Sequence, residues 1–273
     1  NYGFAKATNQ GYRISRGRYV MTLNPDTEVF EGTLDAMVEF LEAHPRVGLV
    51  APGVINRDGR AELPRHRYNS QIPKISTPFV LRILLSKLGF SPENTMNISN
   101  ELDNLAYILG TGLVCRRTAL RREALFDEDT FLTYEEFLLC RRIRRYGYTI
   151  SILPAARIRH TGAAAWSIAP EVTHIYSSLL VAYGYRFRLA EYGFWNAKLN
   201  VLIGLLDSLL MYVAIWTRSV LRRTSRTEEV VLAEWKGKLV GLFRVLMRGE
   251  AGVGEVTRQA EEFLNRFRPT KVC

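Results

Sequence analysis

Cysteine is scarce in this chain, and the few cysteines follow no pattern that would bind a metal ion or build a disulfide framework. The 273 residues include three of them, Cys115, Cys140 and Cys273. Zinc modules and small disulfide-stapled domains need closely and regularly spaced cysteines, so the sequence excludes both classes. The scarcity is typical of a protein of the reducing cytosol. With 47% hydrophobic and 23% charged residues, the chain is also not a disordered one.

Acidic residues are in deficit as well. The chain has 37 lysine and arginine residues against 27 aspartate and glutamate residues, which gives a formal net charge of +10. Surfaces this basic usually bind nucleic acid, anionic membranes or anionic substrates. The basic residues are dispersed, often as arginine pairs, and no nucleic-acid-binding motif surrounds them. We therefore expect no nucleic-acid partner and favour a membrane surface or an anionic substrate.

The most informative segment is a short apolar run that stops at a proline and is followed by a carboxylate. Tyr19 to Leu23 predicts a buried strand, and Asn24, Pro25 and Asp26 come directly after it. Ligands of open α/β sheets bind outside the carboxyl ends of strands. A carboxylate there can hold a hard divalent cation together with phosphate oxygens. The alternative is an ordinary turn, because asparagine, proline and aspartate are common turn formers.

A second motif precedes this strand, and the two together resemble glycosyltransferase family 2. Residues 1–11 read NYGFAKATNQG, and in that family a helix with the pattern N-x-G-F-x-x-x-x-N-x-G precedes the strand that carries the metal-binding aspartate. The segment Asn-Pro-Asp-Thr-Glu at residues 24–28 is most similar to the branch of bacterial rhamnosyltransferases that act on lipid-linked acceptors. The resemblance covers roughly residues 1–165.

The resemblance implies a fold, a cofactor and a set of donor-binding residues. The fold would be α/β: a partial A-type nucleotide-sugar transferase with a mixed sheet flanked by helices. Family members have a nucleotide-binding βαβ half before this point, so we expect the chain to be a fragment that lacks it. Mg²⁺ or Mn²⁺ would be bound by Asp26 and by His160, although a lone histidine is also often structural. The donor-binding residues would be Asn1, Gly3, Asn9, Asn24 and Asp26.

An acidic pair, Glu135 and Glu136, opens a predicted helix. Thr133 would cap the helix, and acidic residues in the first turn are favoured by the helix dipole, so ordinary helix architecture is one explanation. The resemblance adds a catalytic one, since the family has an acidic pair here whose second member is the general base. Glu136 matches that base and Glu135 the first acid. Two departures, glutamate for aspartate at Glu136 and Leu138 for a second acidic residue, leave open a catalytically impaired remnant or scaffold.

Further elements are predicted from local patterns. Glycines in Gly110-Thr111-Gly112 would let a ligand approach the backbone, and the resemblance implies acceptor binding there, with tight packing as the alternative. Residues 60–104 are expected to be a long insertion over the active-site face. The predicted helices are Thr33–Ala43 and Thr118–Leu125, and the predicted strands are Val47–Ile55, Leu105–Arg116 and Tyr148–Leu153, the last ending at Pro154.

The C-terminal third is dominated by one apolar run, Leu199 to Thr217. At about 1.5 Å per residue it would form a helix roughly 28 Å long, close to the thickness of the bilayer hydrocarbon. Aromatic residues before it and arginines after it are typical of a single span or of an interfacial anchor. A buried core helix is the third possibility, and one or two amphipathic helices are expected over residues 228–268.

These features predict a catalytic domain at residues 1–170 and a helical, membrane-associated tail at residues 171–273. The function implied is inverting transfer of a sugar, with L-rhamnose indicated by the resemblance, from a nucleoside diphosphate donor to a lipid-linked or polysaccharide acceptor. The process would be cell-envelope glycan synthesis. The expected location is the cytoplasmic face of the bacterial inner membrane, as a peripheral or single-span protein.

Overall fold

A computed structural model describes residues 2–62, 107–108, 110–121, 124–161, 169–221 and 226–266. Six strands and seven α-helices lie in these segments. The strands are β1 Tyr19–Leu23, β2 Thr27–Val29, β3 Val47–Ile55, β4 Ala61–Glu62, β5 Gly112–Arg116 and β6 Thr149–His160. The helices are α1 Gly3–Ile14, α2 Thr33–Ala43, α3 Glu135–Arg145, α4 Pro170–Tyr192, α5 Phe194–Leu221, α6 Arg226–Arg248 and α7 Glu250–Arg266.

The strands form one mixed sheet in the order β1-β5-β3-β6-β2, and β4 pairs with β3. β3 and β6 are parallel, whereas the other pairs are antiparallel. β3 lies in the middle of the sheet and is buried from Val47 to Val54. Its sequence is accordingly a nearly continuous apolar run, as expected of a strand covered on both faces.

Helices cover both faces of this sheet. Leu49 and Ala51 of β3 point into a core that contains α1, α3 and β5 side chains. Val50, which alternates with them, points to the opposite face and packs with Met37 and Leu41 of α2. The predicted fold class, a mixed α/β sheet flanked by helices with a helical region after it, is confirmed. The membrane association of that region stays a prediction.

Local patterns predicted β1, α2 and β3 with the bounds that the structure shows, and they were wrong where backbone geometry depends on distant residues. β5 begins at Gly112, because Gly110 and Thr111 form a turn. In place of the predicted helix Thr118–Leu125, a 3-10 helix spans Arg117–Leu120. It ends at Arg121, whose φ of +47° is left-handed. The predicted insertion at residues 60–104 lies almost wholly outside the described residues.

β6 is longer than predicted, since Pro154 does not end it. Pro52 pairs with Leu153 and the next residue, Gly53, pairs with Arg157, so the residues between Leu153 and Arg157 bulge out of the ladder. A bulge removes the need for a ladder hydrogen bond from proline, which is why proline is tolerated there. This irregularity lets the strand continue to His160.

The helices after residue 169 form a second core. Its buried side chains come from α4, α5, α6 and α7, among them Leu179, Val201, Val245 and Val256. Two side chains join it to the first core: Phe131, from the segment before α3, is buried in the second core, and Phe187 of α4 is buried in the first. α6 and α7 are the predicted amphipathic helices. The predicted boundary at residue 170 coincides with the start of α4 and stays a prediction.

Candidate active site

The loop after β1 and the turn before β5 lie side by side. Leu23 pairs with Gly112 at the last position of the ladder. The backbone N–H of Asn24 then donates a hydrogen bond to the Thr111 carbonyl over 3.3 Å. The residues predicted to contact the donor and those predicted to contact the acceptor therefore lie together at one edge of the sheet, the end where β1 stops and β5 starts.

Asp26 and His160 are neighbours at this edge. The antiparallel register of β2 and β6 places Thr27 opposite His160, and His160 Nε2 lies 3.2 Å from Asp26 Oδ1. The Asp26 carbonyl also accepts hydrogen bonds from the Thr161 backbone N–H (3.2 Å) and hydroxyl (3.1 Å). The loop is thus fixed to the end of β6. Both side chains remain about a quarter exposed, so a ligand can reach them.

This pair fits a divalent cation that is shared with a substrate. It offers one carboxylate oxygen and one imidazole nitrogen, and within the described segments no cluster of three or more acidic, histidine or cysteine side chains is present. Magnesium-type sites of nucleotide enzymes commonly use one or two protein ligands and complete the shell with water and phosphate oxygens. The metal-binding roles of Asp26 and His160 stay a prediction.

The acidic pair lies next to the turn before β5. Glu136 is half-buried, and its side chain covers the backbone of Gly110. A Cβ added at Gly110 would lie 3.5 Å from Glu136 Cβ and 3.7 Å from its Cδ. The predicted base therefore lies beside the predicted acceptor-binding turn, with room between them for about one methyl group. Since Thr111 in the same turn is bonded to Asn24, this turn joins the acidic pair to the Asp26 loop.

Burial dominates the electrostatics of the pair. Glu135 is 7% exposed, and its Oε2 has no hydrogen-bond partner among the residues that the structure describes. Burial raises the pKa of Glu135, and the neighbouring Glu136 charge raises it further. Burial likewise raises the pKa of Glu136. Both carboxyls therefore hold their protons to a higher pH than free glutamate, as a group that accepts a proton near neutral pH requires.

The backbone immediately before Glu135 is strained. Thr133 and Tyr134 have φ values of +72° and +66°, a left-handed region in which the Cβ atom of any residue other than glycine crowds the backbone carbonyl. The predicted Thr133 cap is wrong: Tyr134 is the N-cap residue, and it makes no side-chain cap hydrogen bond. Such strain persists only where the surroundings enforce it, and it is frequent at functional sites.

The hydrogen bonds that hold the residues before this strained segment come from α1 near the start of the chain and from the helices after residue 169. The Phe131 N–H donates to the Tyr183 hydroxyl of α4 over 2.7 Å, and the Phe131 carbonyl accepts from the Phe4 N–H over 2.7 Å. The Tyr183 hydroxyl also lies 3.0 Å from the Thr257 hydroxyl of α7. No local pattern pointed to Tyr183, which stands in a run of aromatic residues without a motif.

Gly3 and Asn9, predicted to bind the donor, have structural roles here. A Cβ at Gly3 would collide with the Phe131 carbonyl oxygen, and its φ of +80° also requires glycine. Asn9 is fully buried. Its Nδ2 donates to the Phe126 carbonyl and its Oδ1 accepts from the Phe126 N–H, both over 2.9 Å. Donor binding by the two stays a prediction, and Asn1 lies outside the described residues.

Of the three predicted acceptor-binding residues, Gly112 has an alternative explanation. A Cβ there would lie 2.9 Å from Ile158 Cδ1 of β6, so close strand packing by itself calls for glycine. Gly110, in contrast, faces Glu136, and Thr111 uses its carbonyl to hold Asn24. Acceptor binding by these residues stays a prediction.

The family model described as glycosyl transferase family 2 matches residues 1–125. The match covers just under half of the chain. The matched segment includes Asp26 and the Gly110–Gly112 turn, and it ends before Glu135 and His160. The resemblance stated from the sequence motifs is confirmed for this segment.

Two curated proteins are similar over longer stretches. The chain is 26% identical over 214 residues to the N-acetylglucosaminyl-diphospho-decaprenol L-rhamnosyltransferase of Mycobacterium tuberculosis, covering 76% of this chain and 66% of that protein. It is 22% identical over 191 residues to the minor teichoic acid biosynthesis protein GgaB of Bacillus subtilis, covering 67% of this chain and 18% of that protein. The chain thus spans just under two-thirds of the first relative and a small part of the second.

Two solved structures resemble the chain loosely. The mannosyltransferase PcManGT of Pyrobaculum calidifontis, in complex with GDP-Man and Mn²⁺, has a TM-score of 0.41 and 15% identity, over 91% of this chain and 67% of that one. Residues 1–349 of S. aureus TarS give 0.38 and 14%, over 98% of this chain and 73% of that one. TM-scores this low carry no weight for the fold or the chemistry.

Proposed function

We propose that the protein is a glycosyltransferase of cell-envelope glycan synthesis that moves a sugar, with inversion, from a nucleoside diphosphate donor to a lipid-linked or glycan acceptor. The observation that carries the proposal is the meeting of two groups at one sheet edge. Asp26 and His160 stand 3.2 Å apart, and the Gly110–Gly112 turn connects their loop to Glu136. The rhamnosyltransferase relative supports L-rhamnose as the sugar.

Each residue at this edge has a distinct task. Glu136 takes the proton of the acceptor hydroxyl, so that the acceptor oxygen displaces the diphosphate from the opposite face of the sugar in a single step. The open backbone of Gly110 leaves space beside Glu136 for that hydroxyl. Asp26 and His160 would hold Mg²⁺ or Mn²⁺, which would neutralise negative charge on the departing diphosphate when bound.

The two glutamates act as a pair. They are adjacent in sequence and both are shielded from water, so their protons are released in two linked steps that belong to the pair. In the proposed mechanism Glu136 is the member that ionises, because Glu135 is 7% exposed whereas Glu136 is half-buried and can be reached by the acceptor. A neutral Glu135 then leaves the single negative charge on the carboxylate beside Gly110.

The acceptor is proposed to be presented at the cytoplasmic face of the inner membrane. The net charge of +10 favours an anionic surface. One helix of the described segments, Phe194–Ser219, is long and apolar enough to reach across a bilayer, with a mean hydropathy of 1.9. In this proposal residues 1–170 form the catalytic domain and residues 171–273 the membrane-associated part.

One observation favours a catalytically impaired remnant instead. Leu138 stands where the family carries an acidic residue, and its side chain packs against the sheet core. An apolar contact there cannot replace the charge. The remnant would keep the fold and the membrane association without transferring sugar.

The test measures transfer with a panel of nucleoside diphosphate sugars, dTDP-L-rhamnose first, and N-acetylglucosaminyl-diphospho-prenol as the acceptor. We expect transfer that requires a divalent cation and is reduced at least a hundredfold by Asp26→Ala. The exposed turn residue Asp58 supplies the matched control, and Asp58→Ala should leave the rate unchanged. Absence of transfer with every donor would favour the remnant, and full activity of Asp26→Ala would refute the assigned site.

A further inference from the structure

One side of α5 is a continuous uncharged apolar surface. Seven exposed side chains recur along it at alternating steps of four and three residues, which places them on one face of the helix. The two tryptophans at its ends are 82% and 52% exposed. At about 1.5 Å per residue the face is roughly 32 Å long. We call it the α5 face; its members are Trp195, Leu199, Leu202, Leu206, Leu209, Val213 and Trp216.

The charged residues of α5 between Phe194 and Thr217 avoid this face. The sequence has two there, Lys198 and Asp207. The Lys198 ammonium donates to the Val245 carbonyl (3.0 Å) and to the Leu246 carbonyl near the end of α6. Asp207 lines the cleft between α4, α5 and α6. An aspartate inside an apolar run is therefore explained without placing it in lipid.

The opposite side of α5 is packed along the protein. Ala197, Val201 and Ser208 are buried, and a Cβ at Gly204 would lie 3.1 Å from a methyl group of Leu242 on α6. Nearer the end of the helix, Arg218 lies 3.9 Å from Glu228. Contact with α6 thus extends over most of the length of α5, so lipid cannot surround this helix.

The helices that pack on α5 are unsuited to the bilayer interior. α6 carries Glu234 and Lys238 as an ion pair, together with an exposed Lys236. α4 carries Arg186, which bonds to Asp129 over 2.9 Å. Charged side chains at the bilayer centre are strongly unfavourable. If α5 spanned the bilayer, α4 and α6 would have to enter the hydrocarbon with it. If α5 lies in the interface, both helices remain in water.

Lipid suits the α5 face better than a second copy of the chain does. Paired helices with this spacing normally use charged residues beside the seam to fix partner and orientation. Of the positions that flank the α5 face, only Lys198 is charged, and its ammonium is already bonded to carbonyls of α6; Ile203, Leu205 and Leu210 are apolar. Tryptophan at both ends is typical of residues at the level of lipid headgroups. Arg218, exposed just beyond the second tryptophan, would meet anionic headgroups.

We propose that α5 lies flat in the surface of an anionic bilayer, with the α5 face buried among headgroups and upper acyl chains and with α4 and α6 on the water side. The inference rests on the proposed membrane location and specifies its geometry. It has a consequence for the active site, because Tyr134, directly before Glu135, packs on Gly184 of α4. The acidic pair would be held at a fixed height above the lipid.

The first test is vesicle binding by the whole protein. Vesicles of phosphatidylglycerol and phosphatidylcholine should bind it, and Leu206→Glu should weaken binding at least tenfold. Leu34→Glu, at a leucine of similar exposure on α2 (48% against 62%), is the matched control and should bind normally. Leu202→Glu supplies an independent variant, and circular dichroism verifies that each variant is folded. Unchanged binding of both α5 variants would overturn the proposal.

The second test separates a flat helix from a span. Phe194→Cys and Arg218→Cys are made separately with Cys273→Ser, which leaves the buried thiols Cys115 and Cys140. A membrane-impermeant maleimide added outside vesicles that already carry bound protein should label both positions. Labelling of one position alone would show a span. Failure to bind vesicles, with a dimer that Leu206→Glu dissociates, would assign the α5 face to a second copy.

These outcomes are distinct from failure of the proposed chemistry. Transfer to a water-soluble acceptor reports on the active site and should survive Leu206→Glu. Loss of vesicle binding with transfer retained supports the anchor. Vesicle binding without any transfer would leave the anchor in place and refute the proposed function.

Discussion

The two ends of the candidate site are built in opposite ways. Asp26 and His160 are partly exposed and are positioned by neighbouring strands, through the register of β2 with β6. Glu135 and Glu136 are shielded, follow two strained residues and depend on contacts from α1 and α4. We therefore expect side-chain changes at Asp26 and His160 to affect folding less than changes at the acidic end, which is coupled to the helical region.

The largest effect should come from removing the proposed base. We expect Glu136→Gln to lower the rate of transfer about a hundredfold to ten-thousandfold, the usual contribution of a general base. Donor affinity should be retained, because that affinity is assigned to the Asp26 end. Initial rates and donor binding by calorimetry measure the two quantities. Parallel loss of both would contradict the division of the site into two ends.

A smaller effect is expected from loosening the support of the acidic end. Tyr183→Phe removes the acceptor of the Phe131 N–H, and an unsatisfied buried group typically costs about 1–3 kcal/mol of folding free energy. We expect this loss in denaturant titrations, with a lower kcat and an unchanged donor KM. Tyr185→Phe, at another buried tyrosine of α4, is the control. An unchanged kcat in a measurably destabilised Tyr183→Phe protein would uncouple the helical region from the site.

The smallest effect concerns pH and is a gain in stability. The pKa of Glu135 is raised in the folded state, so the folded protein binds its proton more tightly than the unfolded chain does. The stabilisation from this bound proton is complete below the pKa of glutamate in the unfolded chain, about 4.3. It decreases as the pH rises toward the pKa of Glu135 in the folded protein. Glu135→Gln, which cannot ionise, should be more stable than the native protein at pH 8 by on the order of 1 kcal/mol.

Thermal unfolding at pH 5 and pH 8 checks this. The advantage of Glu135→Gln should be larger at pH 8, and an advantage equal at both values would show that burial does not control the ionisation of Glu135. The native protein should also transfer sugar faster as the pH rises, because Glu136 must lose its proton to act as the base.

The contrast between the two ends also explains what the sequence revealed. Asp26 follows a strand with clear local signals, and both β1 and β3 were predicted with the observed bounds. A strand that continues past Pro154 could not be foreseen, since the bulge depends on pairing with β3. The Thr133 cap failed for a similar reason. The left-handed backbone there is maintained by Tyr183 and Phe4, which lie far away in the sequence.

The most direct measurement of the central claim is Mn²⁺ binding in the presence of a nucleoside diphosphate, followed by electron paramagnetic resonance. We predict that Asp26→Ala weakens Mn²⁺ binding at least tenfold and that Glu136→Gln leaves it unchanged. Equal Mn²⁺ affinity of the native protein and Asp26→Ala would contradict the account of this sheet edge.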